Sequence, residues 1–187
     1  MANADQPVQL TLGTRVYILT ISDGVAHGSR EDRSGAVLAS RMALLGGEVA
    51  RGVVPDDANA IETAIVDAAA THAIVLTTGG TGLTPRDVTP QATRAVLDYE
   101  IPGFGEAMRA AGRRSTPLAD LSRAVAGVVG RSLVINLPGS PNGALESLAA
   151  IEAVFAHAVE TLAGPHDHDA PEPASSVPYD RPMEEAR

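Results

Sequence analysis

Four short apolar runs, each followed by a polar loop, constrain the fold of this chain more than any other feature. They span residues 15–22, 48–54, 73–78 and 124–137. The first run is nearly continuously apolar and rich in β-branched residues, so it predicts a buried strand, and the other runs predict further strands. Helical patterns lie between them, with apolar residues recurring every three or four positions. This alternation predicts an α/β fold, a three-layer α/β/α sandwich with a mostly parallel sheet.

The last apolar run predicts two strands rather than one. They would be joined tightly at Gly130-Arg131, which makes one member of the sheet antiparallel.

Helices are predicted at several places between the strands. Residues 36–45 predict a helix, and Thr89-Pro90 predicts a helix start with Thr89 as N-cap. Ser140-Pro141 predicts another helix start, for a helical region that is interrupted near Ala149-Ala150.

The two ends of the chain differ from the middle in composition. Residues 1–13 predict a flexible N-terminus, and residues 14–164 predict one domain. Residues 165–187 hold five of the thirteen prolines and six acidic residues against two arginines. A segment with this composition buries too little apolar surface to fold, so we expect a disordered acidic tail.

Charge and composition exclude several classes of function. Lys plus Arg is 14 and Asp plus Glu is 23, a net charge of -9, which argues against nucleic acid as a partner. The chain has no cysteine, which excludes disulfides and thiolate metal sites. No apolar run approaches the roughly 18 residues of a membrane helix, and no signal peptide is recognisable. We therefore expect a cytoplasmic protein that does not act at a membrane.

A polar loop follows the carboxyl end of each strand predicted to be parallel. These loops are Ser22-Asp23, Pro55-Asp56, Thr78–Gly82 and Leu137–Pro141. In open α/β sheets, ligands bind in the crevice beyond the carboxyl ends of the strands. The four loops therefore predict one binding site at this edge of the sheet.

Gly79-Gly80-Thr81-Gly82 has the composition of an anion-binding loop. Glycines let successive N–H groups turn toward a phosphate, and threonine adds a hydroxyl donor. The loop is neither a Walker A motif nor a G-x-G-x-x-G motif. Taken alone, it is equally well explained as a tight turn from a strand into a helix.

The acidic residues near these loops need a separate explanation, since Asp23, Asp32, Asp56 and Asp87 would repel phosphate. Mg²⁺ resolves the conflict, because it is commonly held by one or two carboxylates together with substrate phosphates. The other interpretations are that Asp87 is stabilised by the dipole of a nearby helix start or pairs with Arg86, and that Asp56 is solvated in its loop or caps a helix.

Several motifs together resemble a known family. TTGGTG (77–82) with RDVTPQAT (86–93) and NLPGSP (136–141) resembles the MogA/MoaB family of molybdenum cofactor biosynthesis proteins. IPGFGEAMR (101–109) and Ser34-Gly35 also match, in the same order along residues 14–164. The resemblance implies a three-layer fold and a homotrimer. Mog-type members transfer AMP from Mg-ATP to the terminal phosphate of molybdopterin and release pyrophosphate. A MoeA-like partner then uses the product for metal insertion.

The resemblance also implies roles for individual residues. Asp56 and Asp87 match the two catalytic aspartates and would hold Mg²⁺ directly or through water. The positions implied to bind the substrates ATP and molybdopterin are Ser22, Asp23, Thr78, Gly79, Gly80, Thr81, Gly82, Arg86, Thr89, Pro138, Gly139 and Ser140. MoaB-like relatives share the fold and the glycine loop, so a non-catalytic pterin-binding or scaffold role is the alternative. Arg86-Asp87 together with Pro55-Asp56 favours the Mog type.

Overall fold

The computed structural model describes residues 9–164, which form a six-stranded sheet with helices on both faces. The strands are β1 (Arg15–Ile21), β2 (Glu48–Val54), β3 (Ile74–Thr78), β4 (Tyr99–Glu100), β5 (Ala126–Val129) and β6 (Ser132–Leu137). Their order is β2-β1-β3-β6-β5-β4. The strands β2, β1, β3 and β6 are parallel, and β5 runs antiparallel to both of its neighbours. The predicted mostly parallel sheet with one reversed strand is confirmed.

The described residues contain seven α-helices. They are α1 (Asp23–Ala26), α2 (Arg33–Leu44), α3 (Ala58–Ala69), α4 (Thr89–Val96), α5 (Pro102–Gly112), α6 (Pro141–Ala149) and α7 (Phe155–Ala163). The predicted break near Ala149-Ala150 is confirmed, because a 3-10 turn separates α6 from α7. The predicted start of α2 was wrong: the helix begins at Arg33 because the Asp32 carboxylate caps it, accepting from Gly35 N at 2.8 Å. None of these helices is long and apolar enough to cross a bilayer.

Two apolar cores lie on the two faces of the sheet. One packs α2, α5, α6 and α7 against the sheet, with Ile18, Met42 and Phe155 fully buried. The other packs α3 and α4 against the opposite face, where Leu19 and Ile65 are buried. Neighbouring residues of β1 thus pack into opposite cores, because side chains alternate between the two faces along a strand. The predicted three-layer α/β/α sandwich is confirmed.

The ends of the predicted domain are only partly described. Within residues 9–13, Leu10 is buried in the core and its N–H donates to Leu45 O at 2.8 Å. One residue of the predicted flexible N-terminus therefore contributes to packing. Residues 1–8 and the predicted disordered tail at 165–187 lie outside the described residues.

A fully buried polar network lies beneath the carboxyl edge of the sheet. Asn136 on β6 donates from Nδ2 to Thr77 Oγ1 at 3.0 Å and to Thr93 Oγ1 at 2.8 Å. All three side chains are inaccessible to solvent. The amide therefore joins β6 to β3 and to α4, the two elements that flank the glycine loop.

Asn136→Ala is expected to lower the free energy of unfolding by about 2–4 kcal/mol, because it leaves two buried hydroxyl groups without their donor. Urea denaturation measures the loss. Asn59→Ala is the matched control, since Asn59 is exposed on α3, and it should change stability by less than about 0.5 kcal/mol. Equal effects of the two substitutions would contradict a structural role for the network.

Candidate active site

Four loops meet at the carboxyl edge of the parallel strands, as the sequence predicts. The register pairs Ile21 with Val54, Thr20 with Thr78, and Thr78 with Leu137. The strands β2, β1, β3 and β6 therefore end at one level, and the residues that follow them lie side by side.

The glycine loop is pressed against its neighbours at two glycines with positive φ. Gly79 has φ 105° and Gly80 has φ 62°. A Cβ added at Gly79 would lie 2.3 Å from Ile21 O, and one at Gly80 would lie 2.3 Å from Thr89 Oγ1. Only glycine fits at either position, since both the backbone conformation and the available space exclude a side chain.

Thr89 fastens this loop and does not cap the helix. The N-cap of α4 is Val88, so the predicted capping role of Thr89 was wrong. Its hydroxyl instead donates to Gly79 O at 2.9 Å, and its N–H donates to Gly80 O at 3.2 Å. The Thr89 side chain is fully buried, so it holds the glycine loop from the interior of the domain.

The Pro138–Ser140 loop lies directly against the glycine loop. Thr78 Oγ1 donates to Pro138 O at 2.7 Å, and Gly79 N donates to Leu137 O at 3.2 Å. A Cβ on Gly139 would lie 3.2 Å from Gly79 Cα. Ser140 caps α6, as predicted, with its Oγ accepting from Gly143 N at 3.2 Å.

Asp23 and Asp56 bind each other's backbone across the ends of β1 and β2. Asp23 N donates to Asp56 Oδ2 at 2.9 Å, and Asp56 N donates to Asp23 Oδ1 at 3.1 Å. Arg86 donates to the other oxygen of Asp23. This bond from Arg86, followed by the Asp56 backbone, lowers the pKa of Asp23, and Asp23 in turn raises the pKa of Arg86. Arg86 therefore pairs with Asp23 and not with its neighbour Asp87.

Asp87 lies at the other end of the glycine loop and is held within its own turn. Its Oδ2 accepts from Thr84 N at 2.7 Å. Burial alone raises the pKa of Asp87, but hydrogen bonds from Thr84 and Gly82 and the charge of Arg123 outweigh it, so the pKa is lowered. The carboxylate is ionised at neutral pH.

The two predicted catalytic aspartates flank the glycine loop. A Cβ on Gly80 would lie 3.4 Å from Asp56 Oδ1, and a Cβ on Gly82 would lie 3.1 Å from Asp87 Oδ2. Among residues 9–164, no three His, Asp or Glu side chains are grouped as a complete metal site. Two carboxylates beside a glycine loop fit a Mg²⁺ ion that arrives with substrate phosphates, because such ions keep few protein ligands.

Two clefts open beside the contact between the two loops. A polar cleft of about 570 Å³ is lined by Asp56, Gly79, Gly80 and Gly139 and by the segment 30–34. A more apolar cleft of about 420 Å³ is lined by Thr81, Gly82, Leu83, Met108, Leu118, Pro138 and Ser140 among others. The site therefore offers two neighbouring spaces that share the same glycine loop.

Several residues of the site were not predicted. Thr20 is buried, lines the polar cleft, and has an Oγ1 without a hydrogen-bond partner among the described residues. The feature of the sequence that could have marked Thr20 as a site residue is that it is polar within the first apolar run. Arg30 and Arg33 also line this cleft, together with Ser34, which the sequence marked as part of a matching motif but not as a site residue. Arg123 contacts the glycine loop from the segment before β5, and its sequence signal is its place in residues 121–141, a block that resembles the family as a whole.

Comparison with known proteins identifies the family to which this site belongs. A family model described as "Probable molybdopterin binding domain" matches residues 17–157. The chain belongs to this family. The MogA/MoaB assignment made from the motifs is thereby confirmed.

Individual members of the MogA/MoaB family are similar over most of the chain. The Escherichia coli K12 protein named "Molybdopterin adenylyltransferase" is 36% identical over 176 residues, which cover 84% of this chain and 90% of that protein. The solved structure of the "Molybdopterin biosynthesis enzyme MoaB" from Thermus thermophilus is 49% identical with a TM-score of 0.74, covering 81% of this chain and 98% of the other. The "Molybdenum cofactor biosynthesis bifunctional protein" of Synechococcus elongatus is 36% identical over 160 residues, and the match covers 84% of this chain but only 50% of that protein.

Proposed function

We propose that this chain is a molybdopterin adenylyltransferase of the Mog type, which transfers AMP from ATP to the terminal phosphate of molybdopterin and releases pyrophosphate. The glycine loop carries this proposal, because Gly79–Gly82 borders two clefts and is flanked by the carboxylates of Asp56 and Asp87. One space for each substrate, with a shared phosphate-binding loop between them, suits a transfer between two phosphorylated molecules.

The reaction needs charge compensation more than a strong base. The attacking group is already a phosphate anion, so the barrier comes from bringing two anions together. Backbone N–H groups of the glycine loop and the start of α6 at Ser140 would stabilise the charge on the transferred and departing phosphates. Mg²⁺ held by Asp56 and Asp87 would supply the remaining positive charge.

Arg86 is the cation that the sequence predicts to bind a substrate beside the glycine loop. Its side chain is 64% exposed, and it forms an ion pair with Asp23, which follows β1. The pair carries no net charge, so Arg86 does not compensate a phosphate while it remains bound to Asp23. We propose that an anionic substrate competes with Asp23 for this guanidinium, since arginine binds phosphate through paired N–H donors.

A non-catalytic pterin-binding or scaffold role is the second candidate. The observation behind it is the 49% identity to the solved structure named MoaB, which exceeds the 36% identity to the named adenylyltransferase of Escherichia coli, although the name of that structure also describes an enzyme. Both candidates predict that molybdopterin binds. They differ in whether ATP is consumed.

Purified protein is expected to release pyrophosphate from ATP only when Mg²⁺ and molybdopterin are both present, and to form adenylylated molybdopterin in equal amount. A coupled pyrophosphate assay and mass spectrometry of the pterin product measure this. Reactions that lack molybdopterin or contain excess EDTA are the controls. Tight molybdopterin binding without any adenylylated product would overturn the enzymatic proposal in favour of the MoaB-like one.

The remaining expectations concern assembly and place of action. We propose that the chain works as a homotrimer in the cytoplasm and that its product passes to a MoeA-like enzyme for metal insertion. The resemblance to Mog-type proteins supports these proposals, and the mass in solution by light scattering tests the first of them.

A further inference from the structure

Arg123 makes three hydrogen bonds to the segment that runs from the glycine loop to Asp87. Its backbone N–H donates to Thr81 O at 3.1 Å. Its side chain donates from Nε to Gly82 O at 2.7 Å and from Nη2 to Asp87 O. One residue outside the segment therefore binds both its beginning and its end.

Few other hydrogen bonds hold this segment in place. Asp87 N donates to Thr84 O at 3.0 Å, and the Asp87 carboxylate accepts from Thr84 N, but both bonds are internal to the turn. Among the described residues, the other hydrogen bond from Leu83–Asp87 to the rest of the domain joins Arg86 to Asp23. If a substrate phosphate displaces Asp23 from Arg86, Arg123 becomes the remaining hydrogen-bonded attachment of the turn.

We propose that Arg123 is a positioning residue for adenylyl transfer, which holds the carbonyl oxygens of Gly82 and Asp87 and thereby fixes the Asp87 carboxylate beside the glycine loop. This inference rests on the proposed function. Arg123 need not touch either substrate, because it would act through the backbone of the loop that does.

The geometry requires arginine rather than any cation. Two carbonyl dipoles that point at one place repel each other, and a planar guanidinium offers two fixed donors that satisfy both. A lysine ammonium is a point charge without this fork, so it would keep the charge and lose the paired contact. The charge of Arg123 is not neutralised by any ion pair among the described residues.

The spacing at Gly82 leaves little tolerance for movement of Asp87. A Cβ at Gly82 would lie only 3.1 Å from Asp87 Oδ2, so the carboxylate already lies against the glycine backbone. Release of the two carbonyls would let the turn open away from Gly82. A displacement of about 1 Å in a catalytic group can cost about 100-fold in rate.

The test compares Arg123→Lys and Arg123→Ala with Arg113→Lys and Arg113→Ala. Arg113 follows α5, is half-exposed, pairs with Asp120 and lines neither of the two clefts. Both Arg123 variants are expected to exchange the amide hydrogens of Thr84 and Asp87, which donate within the turn, about tenfold faster than the wild type, since local opening becomes easier. Both should lower kcat about 100-fold while KM for ATP changes less than about threefold. The Arg113 variants should match the wild type in each measurement.

Three results would overturn the inference. They are wild-type exchange in both Arg123 variants, full activity in Arg123→Lys, and faster exchange without a fall in kcat. Circular dichroism establishes that each variant is folded, and Arg123→Lys keeps the comparison available if Arg123→Ala unfolds. A wild-type protein without adenylyl transfer would overturn the proposed function instead, and the exchange comparison would still decide whether Arg123 holds the turn.

Discussion

Gly79→Ala is expected to lower the free energy of unfolding by at least about 3 kcal/mol, and to abolish ATP binding where the variant still folds. Two separate costs add at this position. The backbone at φ 105° disfavours any residue with a Cβ, and that Cβ would lie 2.3 Å from Ile21 O. The obstructing atom belongs to the backbone at the end of β1, so relief would have to move the strand or the loop.

The control separates backbone strain from obstruction. Gly130, in the turn between β5 and β6, also has a positive φ of 59°, but an added Cβ would meet nothing within 4 Å. Gly130→Ala should therefore cost only about 1–2 kcal/mol and leave ATP binding intact. Urea denaturation and calorimetric titration with ATP measure both effects. A Gly79→Ala protein as stable as Gly130→Ala would show that the loop has room at β1.

Much of the fold can be predicted from the sequence, because the burial of apolar residues determines where the strands lie. Strands such as β1 and β3 are buried on both faces and read as apolar runs, and their parallel order places the following loops at one edge. The two-residue strand β4 (Tyr99–Glu100) was missed, since both residues are exposed and too few to show a period. Its pairing with β5 depends on contacts made only in the folded chain.

The site was predicted in its parts but not in its connections. Gly79 to Gly82 were predicted from composition to form an anion-binding loop, whereas the N-cap role given to Thr89 was wrong because a tertiary bond to Gly79 O competes with capping. Arg86 was placed near Asp87, yet it reaches Asp23, which lies 63 residues earlier in the chain. The contacts of Arg123 could not be predicted, since its partners are backbone carbonyls that carry no sequence signal.

Asp87→Asn is expected to lower kcat for adenylyl transfer by at least about 100-fold while the fold is retained. The asparagine amide has nearly the same shape, and its oxygen can still accept from Thr84 N. The substitution removes the negative charge, which the wild type carries in full because the pKa of Asp87 is lowered. Asp120→Asn is the control, since Asp120 is exposed and pairs with Arg113. Unchanged kcat in Asp87→Asn would refute a catalytic role for this carboxylate.

A double variant tests whether Asp87 and Arg123 act together, since Arg123 holds the turn that carries Asp87. If Arg123 acts by positioning the Asp87 carboxylate, Arg123→Lys should cause no further loss of kcat once the charge at residue 87 has been removed. Asp87→Asn combined with Arg123→Lys should then turn over within about threefold of Asp87→Asn alone, since residues that act as a unit are non-additive. Independent roles predict instead that the two losses multiply. Steady-state kinetics of the two single variants and the double variant therefore decide whether the loop places the charge or whether each residue contributes separately.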